Sequence, residues 1–312
     1  MTRIIAECCQ NHNGDLELLK DMVVAAAEAG ATYVKMQTIY SEDLTHRPRF
    51  DTGDGKTCIN RPFEPEFERM QGLDLPDDAH EVFVQTCLDN GVLPMTTVFN
   101  HGRLAMVRKA GFTAVKVASY DCASFPLLRA LRDSFDFLVV STGATYDPEI
   151  LKAADLLKNT TFAFLHCVTS YPTTLDMLHL NRMKWLRQHA PLVGFSDHSH
   201  TEKGGITAAK AAIWQGADYV ERHYTILKAD ETKDGPVSIR PEHIRELVEF
   251  SKLSKSAQEA EVRSLVGDIE PLMGQAQREM SETELLNRDY YRGRFATKVD
   301  GQVVYNWEEM PS

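Results

Sequence analysis

No run of about 18 apolar residues, the length a membrane-spanning helix needs, occurs in the 312-residue chain. The opening Met1-Thr2-Arg3-Ile4-Ile5-Ala6-Glu7 meets charge too early to read as a signal peptide, so the expectation is a cytoplasmic protein. Positive charge is scarce: 34 basic against 45 acidic side chains leave a formal charge of -11. Such a field repels nucleic acid and anionic membrane surfaces, and an anionic small substrate would need a locally basic pocket. The six cysteines (Cys8, Cys9, Cys58, Cys87, Cys122 and Cys167) lack the paired short spacing of a zinc or redox motif. Most are expected as buried free thiols, which behave as small apolar residues. A glycine-rich dinucleotide fingerprint is also missing, since Glu7-Cys8-Cys9-Gln10-Asn11-His12-Asn13-Gly14-Asp15 carries a single glycine.

What is present is an alternation of apolar, β-branched runs with longer amphipathic stretches, repeated eight times. Strands are expected at Arg3 to Cys8, Thr32 to Gln37, Val92 to Thr97, Ala114 to Ser119, Phe137 to Ser141, Thr161 to Cys167, Leu192 to Ser196 and Tyr219 to Tyr224. Helices are expected near Leu16 to Ala29, Asp77 to Asn90, Gly102 to Ala110, Ser124 to Arg132, Pro148 to Lys158, Asp176 to His189, Glu202 to Gln215 and Pro241 to Ser254. Several of these helices close on a glycine, as at Gly30, Gly91, Gly111 and Gly216, and a strand follows at once. This grammar predicts an α/β fold, a (β/α)8 TIM barrel over residues 1–256, with an open doubly wound sheet as the lesser alternative. Residues 257–312 read as a C-terminal helical or irregular extension too short for its own core. The stretch from Ser41 to Pro76, rich in Pro, Gly and charge, is expected as a long loop over one barrel end.

Barrel chemistry collects at the C-terminal strand ends, and polar residues gather there in this sequence. Glu7, Lys35 with Gln37, Thr97, Lys116 with Ser119, Ser141, His166 with Tyr171, Ser196 to His198, and Glu221 with His223 end the eight strands in order. Two lysines inside a barrel are costly unless an anion or a carboxylate neutralises them. They imply an anionic ligand such as a phosphate with a neighbouring carboxylate; a purely structural network with Glu7 and Glu221 is the alternative. His198 and His223 end adjacent strands and either converge on one ion or serve as hydrogen-bonding groups. With no cysteine expected nearby, a borderline or hard divalent metal suits the pair, since zinc usually shows a third strong protein ligand.

At this point the local motifs resemble the sialic acid synthase family. Ala6 to Asp15 resembles its opening motif, and Val34-Lys35-Met36-Gln37-Thr38 its second-strand motif. Val115 to Ser119, Val140 to Gly143, Leu165-His166-Cys167 with Tyr171-Pro172-Thr173, Gly194 to His198, and Glu221 to Thr225 follow in order. The resemblance implies a metal-dependent condensation of phosphoenolpyruvate with an N-acylhexosamine-like aldehyde, giving a 2-keto-3-deoxy sugar acid and phosphate. Lys35, Thr97, Lys116, Ser119, Ser141 and Ser196 then fall where the family holds phosphoenolpyruvate. His198 and His223 fall on its metal ligands, for manganese first and magnesium or cobalt as alternatives. Glu7, Asp234 and Gln37 are the implied catalytic groups, and Asp121 and Tyr171 lie on the sugar side. The implied partners are phosphoenolpyruvate and an aldose, with a homodimer by analogy.

The sequence also departs from the family pattern. Tyr120-Asp121 stands where relatives carry a glutamate after a glycine, Val98 stands where a proline commonly follows the threonine, and Thr169 replaces an asparagine. The family's C-terminal antifreeze-like domain has no counterpart in this sequence. Two other functions fit the same residues: a barrel aldolase or synthase with another acceptor, including one with a Schiff-base lysine at Lys35 or Lys116, and a non-catalytic sugar-phosphate-binding barrel.

Overall fold

The eight apolar runs form parallel strands that hydrogen-bond in sequence order and close into a barrel, β1 returning to β8. The computed structural model describes residues 1–311. The strands are β1 Arg3–Cys9, β2 Tyr33–Thr38, β3 Leu93–Val98, β4 Ala114–Val117, β5 Phe137–Ser141, β6 Thr161–His166, β7 Leu192–Asp197 and β8 Tyr219–His223. Helices α1 Leu16–Glu28, α2 Phe63–Gln71, α3 Asp78–Asp89, α4 Leu104–Lys109, α5 Phe125–Arg132, α6 Asp147–Leu157, α7 Asn181–Leu186, α8 Thr201–Gly204, α9 Thr207–Trp214 and α10 Pro241–Lys252 connect and follow them. The first helix shows the local logic. Asp15 accepts from the Glu17 and Leu18 amides, Leu19, Met22, Val23 and Ala26 form its buried face, and Gly30 at φ 89° ends it.

Three expectations need correction. The Ser41 to Pro76 segment is not all loop, because Phe63, Phe67 and Met70, at helical spacing in α2, pack with Ile39, Leu44 and Phe295. The helix expected from Asp176 to His189 shrinks to α7, preceded by a 3-10 turn and by His179 in the left-handed region at φ 48°. The helix expected from Glu202 to Gln215 splits into α8 and α9 around Gly204-Gly205, with Gly205 at φ 55°.

Beyond α10 the chain forms α11 Lys255–Val266, α12 Glu270–Met273, α13 Glu282–Tyr291 and a hairpin of β9 Thr297–Val299 with β10 Gln302–Val304. This tail returns to the barrel mouth. Backbone hydrogen bonds join Thr45 to Arg294 and Ala296 to Asp43, each at 3.0 Å.

Side chains alternate along a strand, so every second residue points into the barrel. Ile5, Tyr33, Met95, Ala114, Val139, Ala163, Leu165 and Tyr219 fill the interior as one apolar cluster. Two residues further along seven of those positions the chain places Glu7, Lys35, Thr97, Lys116, Ser141, Cys167 and Glu221. The registers Glu7↔Lys35, Glu7↔His223, Thr97↔Lys116 and Ser196↔Glu221 put these polar groups at one level. An apolar plug therefore floors a polar mouth.

A fully buried ion pair, Arg222 with Asp197, lies next in sequence to the two strand-end histidines. Arg222 also donates to Ser199 Oγ at 2.8 Å and to the Ser199 and Val237 carbonyls at 3.2 Å. The loops after β7 and β8 are thereby tied together. Removing one partner of a buried pair leaves the other charge stranded, at a cost of about 3–5 kcal/mol. Arg222→Met should lower the urea-unfolding free energy by that amount; a loss below about 1 kcal/mol would show that the pair carries little of the rim's stability.

Candidate active site

The C-terminal mouth opens into a cavity of about 650 Å³. Every residue to which the resemblance gives a role lines it: Glu7, Lys35, Gln37, Thr97, Lys116 and Ser119, then Asp121, Ser141, Tyr171, Ser196, His198, His223 and Asp234. His166, also at a strand end, does not, because its ring is buried against the Leu178 carbonyl at 2.6 Å. At its base Lys116 Nζ donates to both oxygens of Glu221, at 2.7 and 2.9 Å, and Ser196 Oγ donates to Glu221 Oε1 at 2.8 Å. Lys35 is ion-paired with Glu7, donates to Thr97 Oγ1 at 2.8 Å, and lies 3.9 Å from Glu221. The carboxylate–lysine network weighed from the sequence is thus present. Each ammonium has three donors, and these partners account for two on each lysine.

Burial alone would raise the Glu221 carboxyl, but Lys116 and Lys35 hold it well below its ordinary range. Burial pulls the Lys35 ammonium down to about 7 against the opposing charge of Glu221. The Ser141 hydroxyl is buried and has no partner among the described residues.

On the rim, the His198 and His223 rings stand edge to face with centroids 5.4 Å apart, and Tyr171 packs on His198 at 4.6 Å. Burial holds both imidazoles toward the neutral form, His198 down to about 3. Their Nδ1 atoms are buried without a hydrogen-bond partner among the described residues. Neutral imidazole is the ligating form, so this pair fits a divalent ion. Asp234 Oδ2 lies 3.7 Å from His223 Nδ1. Its loop is held by Asn11, which donates to the Tyr224 carbonyl and Ser238 Oγ and accepts from Thr232 Oγ1, at 2.8, 2.9 and 2.6 Å. The expectation of no cysteine near the histidines is wrong: the donor atoms of Cys9, His223 and Asp234 lie within 4.8 Å of one another.

A scan against family models matches residues 22–263 to the family described as NeuB. The chain belongs to the NeuB family. Among relatives of this NeuB-family enzyme, the N,N'-diacetyllegionaminic acid synthase of Legionella pneumophila is 28% identical, covering 95% of this chain and 83% of that protein. The N-acetylneuraminate-9-phosphate synthase of Homo sapiens is 28% identical, covering 81% of this chain and 70% of that protein. The crystal structure of the N-acetylneuraminic acid synthetase of Leptospira borgpetersenii superposes with a TM-score of 0.68 at 27% identity, covering 91% of this chain and 89% of that one. This NeuB-family chain is an enzyme of the sialic acid synthase type.

Several wall residues of the NeuB-family site were not expected from its sequence. Arg61 and Arg69 come from the segment expected as loop, Lys233 from the loop after β8, and Asn287, Tyr291 and Arg294 from the tail. Glu66 pairs with Arg69 at 2.9 Å and with Arg294, and Arg61 donates to the Tyr291 hydroxyl at 3.0 Å. Lys233 is lowered by burial and then by Arg69, with Arg61 and Arg294 adding to the effect. Where Thr169 replaces the family asparagine, Asn287 Nδ2 donates to the Thr169 carbonyl at 2.7 Å, so an amide reaches this wall from the tail. Asp121 Oδ1 accepts from Ser124 Oγ and Asn306 Nδ2, both at 2.9 Å.

Burial raises the Asp121 carboxyl from 3.8 to about 6, against the lowering by Asn306 and Ser124. The folded protein therefore holds this proton more tightly than the unfolded chain, and the protonated carboxyl's contribution, complete below 3.8, is lost as pH rises to about 6. Asp121→Asn should raise stability at pH 7 by about 1–3 kcal/mol and leave it nearly unchanged at pH 3.5. Urea midpoints at the two pH values check this, and an equal shift at both would refute the burial cost.

Proposed function

We propose that this chain condenses phosphoenolpyruvate with an aldose to give a 2-keto-3-deoxy sugar acid and phosphate. The observation that carries the reading is the meeting of two lysines and two neutral imidazoles in one mouth, on a chain of the NeuB family. Lys35 and Lys116, with the hydroxyls of Thr97, Ser119, Ser141 and Ser196, hold the phosphate and carboxylate and aim C3 at the aldehyde carbon. A divalent ion held by His198 and His223, manganese by the resemblance, would supply Lewis-acid polarisation of the aldehyde oxygen.

The C2–C3 π pair forms the new bond to the aldehyde carbon, whose oxygen takes up a proton and becomes a hydroxyl. Water adds at C2 and loses a proton to Glu7, whose Oε1 has no hydrogen-bond partner among the described residues. Phosphate then leaves with the C2–O pair, and loss of the hydroxyl proton gives the ketone. Asp234 and Gln37 serve the acceptor's hydroxyls and proton transfer on the rim side.

The outer wall supports a finer reading of the acceptor. Arg61, Arg69, Lys233 and Arg294 crowd together there, and Lys233 has no carboxylate within ion-pair distance among the described residues. In a chain of charge -11 this patch favours an anionic group on the aldose, remote from the aldehyde. An N-acylhexosamine-like aldose bearing a phosphate ester is the class that fits, and the human relative is named for a phosphorylated product.

Phosphate release from phosphoenolpyruvate should require both an aldose and a divalent metal, and a phosphorylated aldose should have the higher kcat/KM. Lys233→Met should raise KM for the phosphorylated aldose about tenfold with little effect on a neutral one, a loss of about 1.4 kcal/mol. His223→Ala should lower turnover by about a thousandfold with the far-UV circular dichroism unchanged. Phosphate release that ignores the aldose would sink the synthase reading. The depressed Lys35 is the one observation favouring a Schiff-base aldolase; borohydride with a keto substrate should leave it unmodified, and an adduct there would favour that reading.

A further inference from the structure

Cys8 and Cys9 are neighbours in sequence and have opposite fates. Cys8 packs into the main hydrophobic core, whereas Cys9 lines the mouth. The cause is local. The β1–β2 register shifts between Glu7 and Cys9, and Cys9 adopts the left-handed conformation at φ 47°. The inward series Ile5, Glu7 continues to Cys9 by the two-residue alternation of the strand, and Cys9 arrives beside β8 and the loop that follows it. Its sulfur, a carboxylate oxygen of Asp234 and a ring nitrogen of His223 lie within 4.8 Å of one another. His198, 7% exposed and with an unpartnered Nδ1, stands edge to face with His223.

We propose that Cys9 is a metal ligand, completing with His198, His223 and Asp234 a mixed sulfur, nitrogen and oxygen set. It rests on the metal reading given under the proposed function. Two imidazoles alone favour no particular borderline ion over manganese or magnesium. A thiolate does, because soft sulfur selects zinc, iron(II) or cobalt(II) over hard ions. The thiol exchanges its proton for the ion, and that proton leaves to buffer. No electron is transferred. The left-handed Cys9 is a conformation glycine adopts at less cost, so a side chain held there at the rim is consistent with use of its sulfur.

The test is cobalt(II) titration of the metal-free full-length protein, read by electronic absorption. The wild type should show an intense sulfur-to-cobalt charge-transfer band in the near ultraviolet together with visible ligand-field bands. Cys9→Ser should lose the near-ultraviolet band, keep ligand-field bands, and bind cobalt at least about tenfold more weakly with manganese affinity little changed. Half-buried Cys58, which lies outside the mouth, is the control, since Cys58→Ser should leave every band in place. If Cys9→Ser does not fold, X-ray absorption of the cobalt-loaded wild type decides, with one sulfur scatterer expected at about 2.3 Å. Ligand-field bands without a charge-transfer band in the wild type, or a charge-transfer band that survives Cys9→Ser, would overturn the role of Cys9 and leave the histidine site standing. Absence of any cobalt binding would overturn both.

Discussion

Two lysines and two glutamates share one level of the barrel interior, directly above an apolar floor, and the architecture of the mouth follows from that arrangement. A buried charge survives only when paired and hydrogen-bonded. The strand registers meet this requirement by setting Glu7 against Lys35 and bringing Lys116 to Glu221 across the barrel. The result is a base held rigid by close apolar packing below and ion pairs within, with donors left over for a ligand. Rigidity of this kind is what positioning and electrostatic catalysis need, because no reorganisation is required when the substrates arrive.

Above this level the site is built from parts that meet only in the folded chain. The β7 and β8 loops are locked by Arg222 and Asp197, the loop bearing Asp234 is tied to β1 through Asn11, and α2 and the C-terminal tail close the outer wall. The outer wall supplies positive charge that the chain as a whole lacks. An acidic protein thereby presents a local attraction for anions at one opening while repelling polyanions elsewhere.

The barrel was legible because its signals are local and repeated: a β-branched run, a polar residue at its end, an amphipathic stretch, a glycine. The same repetition exposed Lys35, Lys116, His198 and His223, since each ends a strand. Arg61, Arg69 and Arg294 were not legible, because their approach depends on α2 and the tail docking across the mouth, contacts between residues more than two hundred positions apart. The spacing of Phe63, Phe67 and Met70 would have revealed α2, but its punctuation by Pro62 and Pro65 reads as loop. Cys9 was passed over for another reason: a buried cysteine passes for a small apolar residue, although its place two residues beyond Glu7 sets it on the inward face of β1.

The central claim is that the lysine-lined base and the histidine rim serve one substrate and one ion together. Phosphorus NMR of phosphoenolpyruvate bound to the manganese-loaded protein tests this most directly. The phosphorus resonance should be strongly broadened by the paramagnetic ion, and the broadening should vanish when His198 and His223 are both replaced by alanine. A resonance unaffected by manganese in the wild-type protein, with phosphoenolpyruvate shown to be bound, would contradict it.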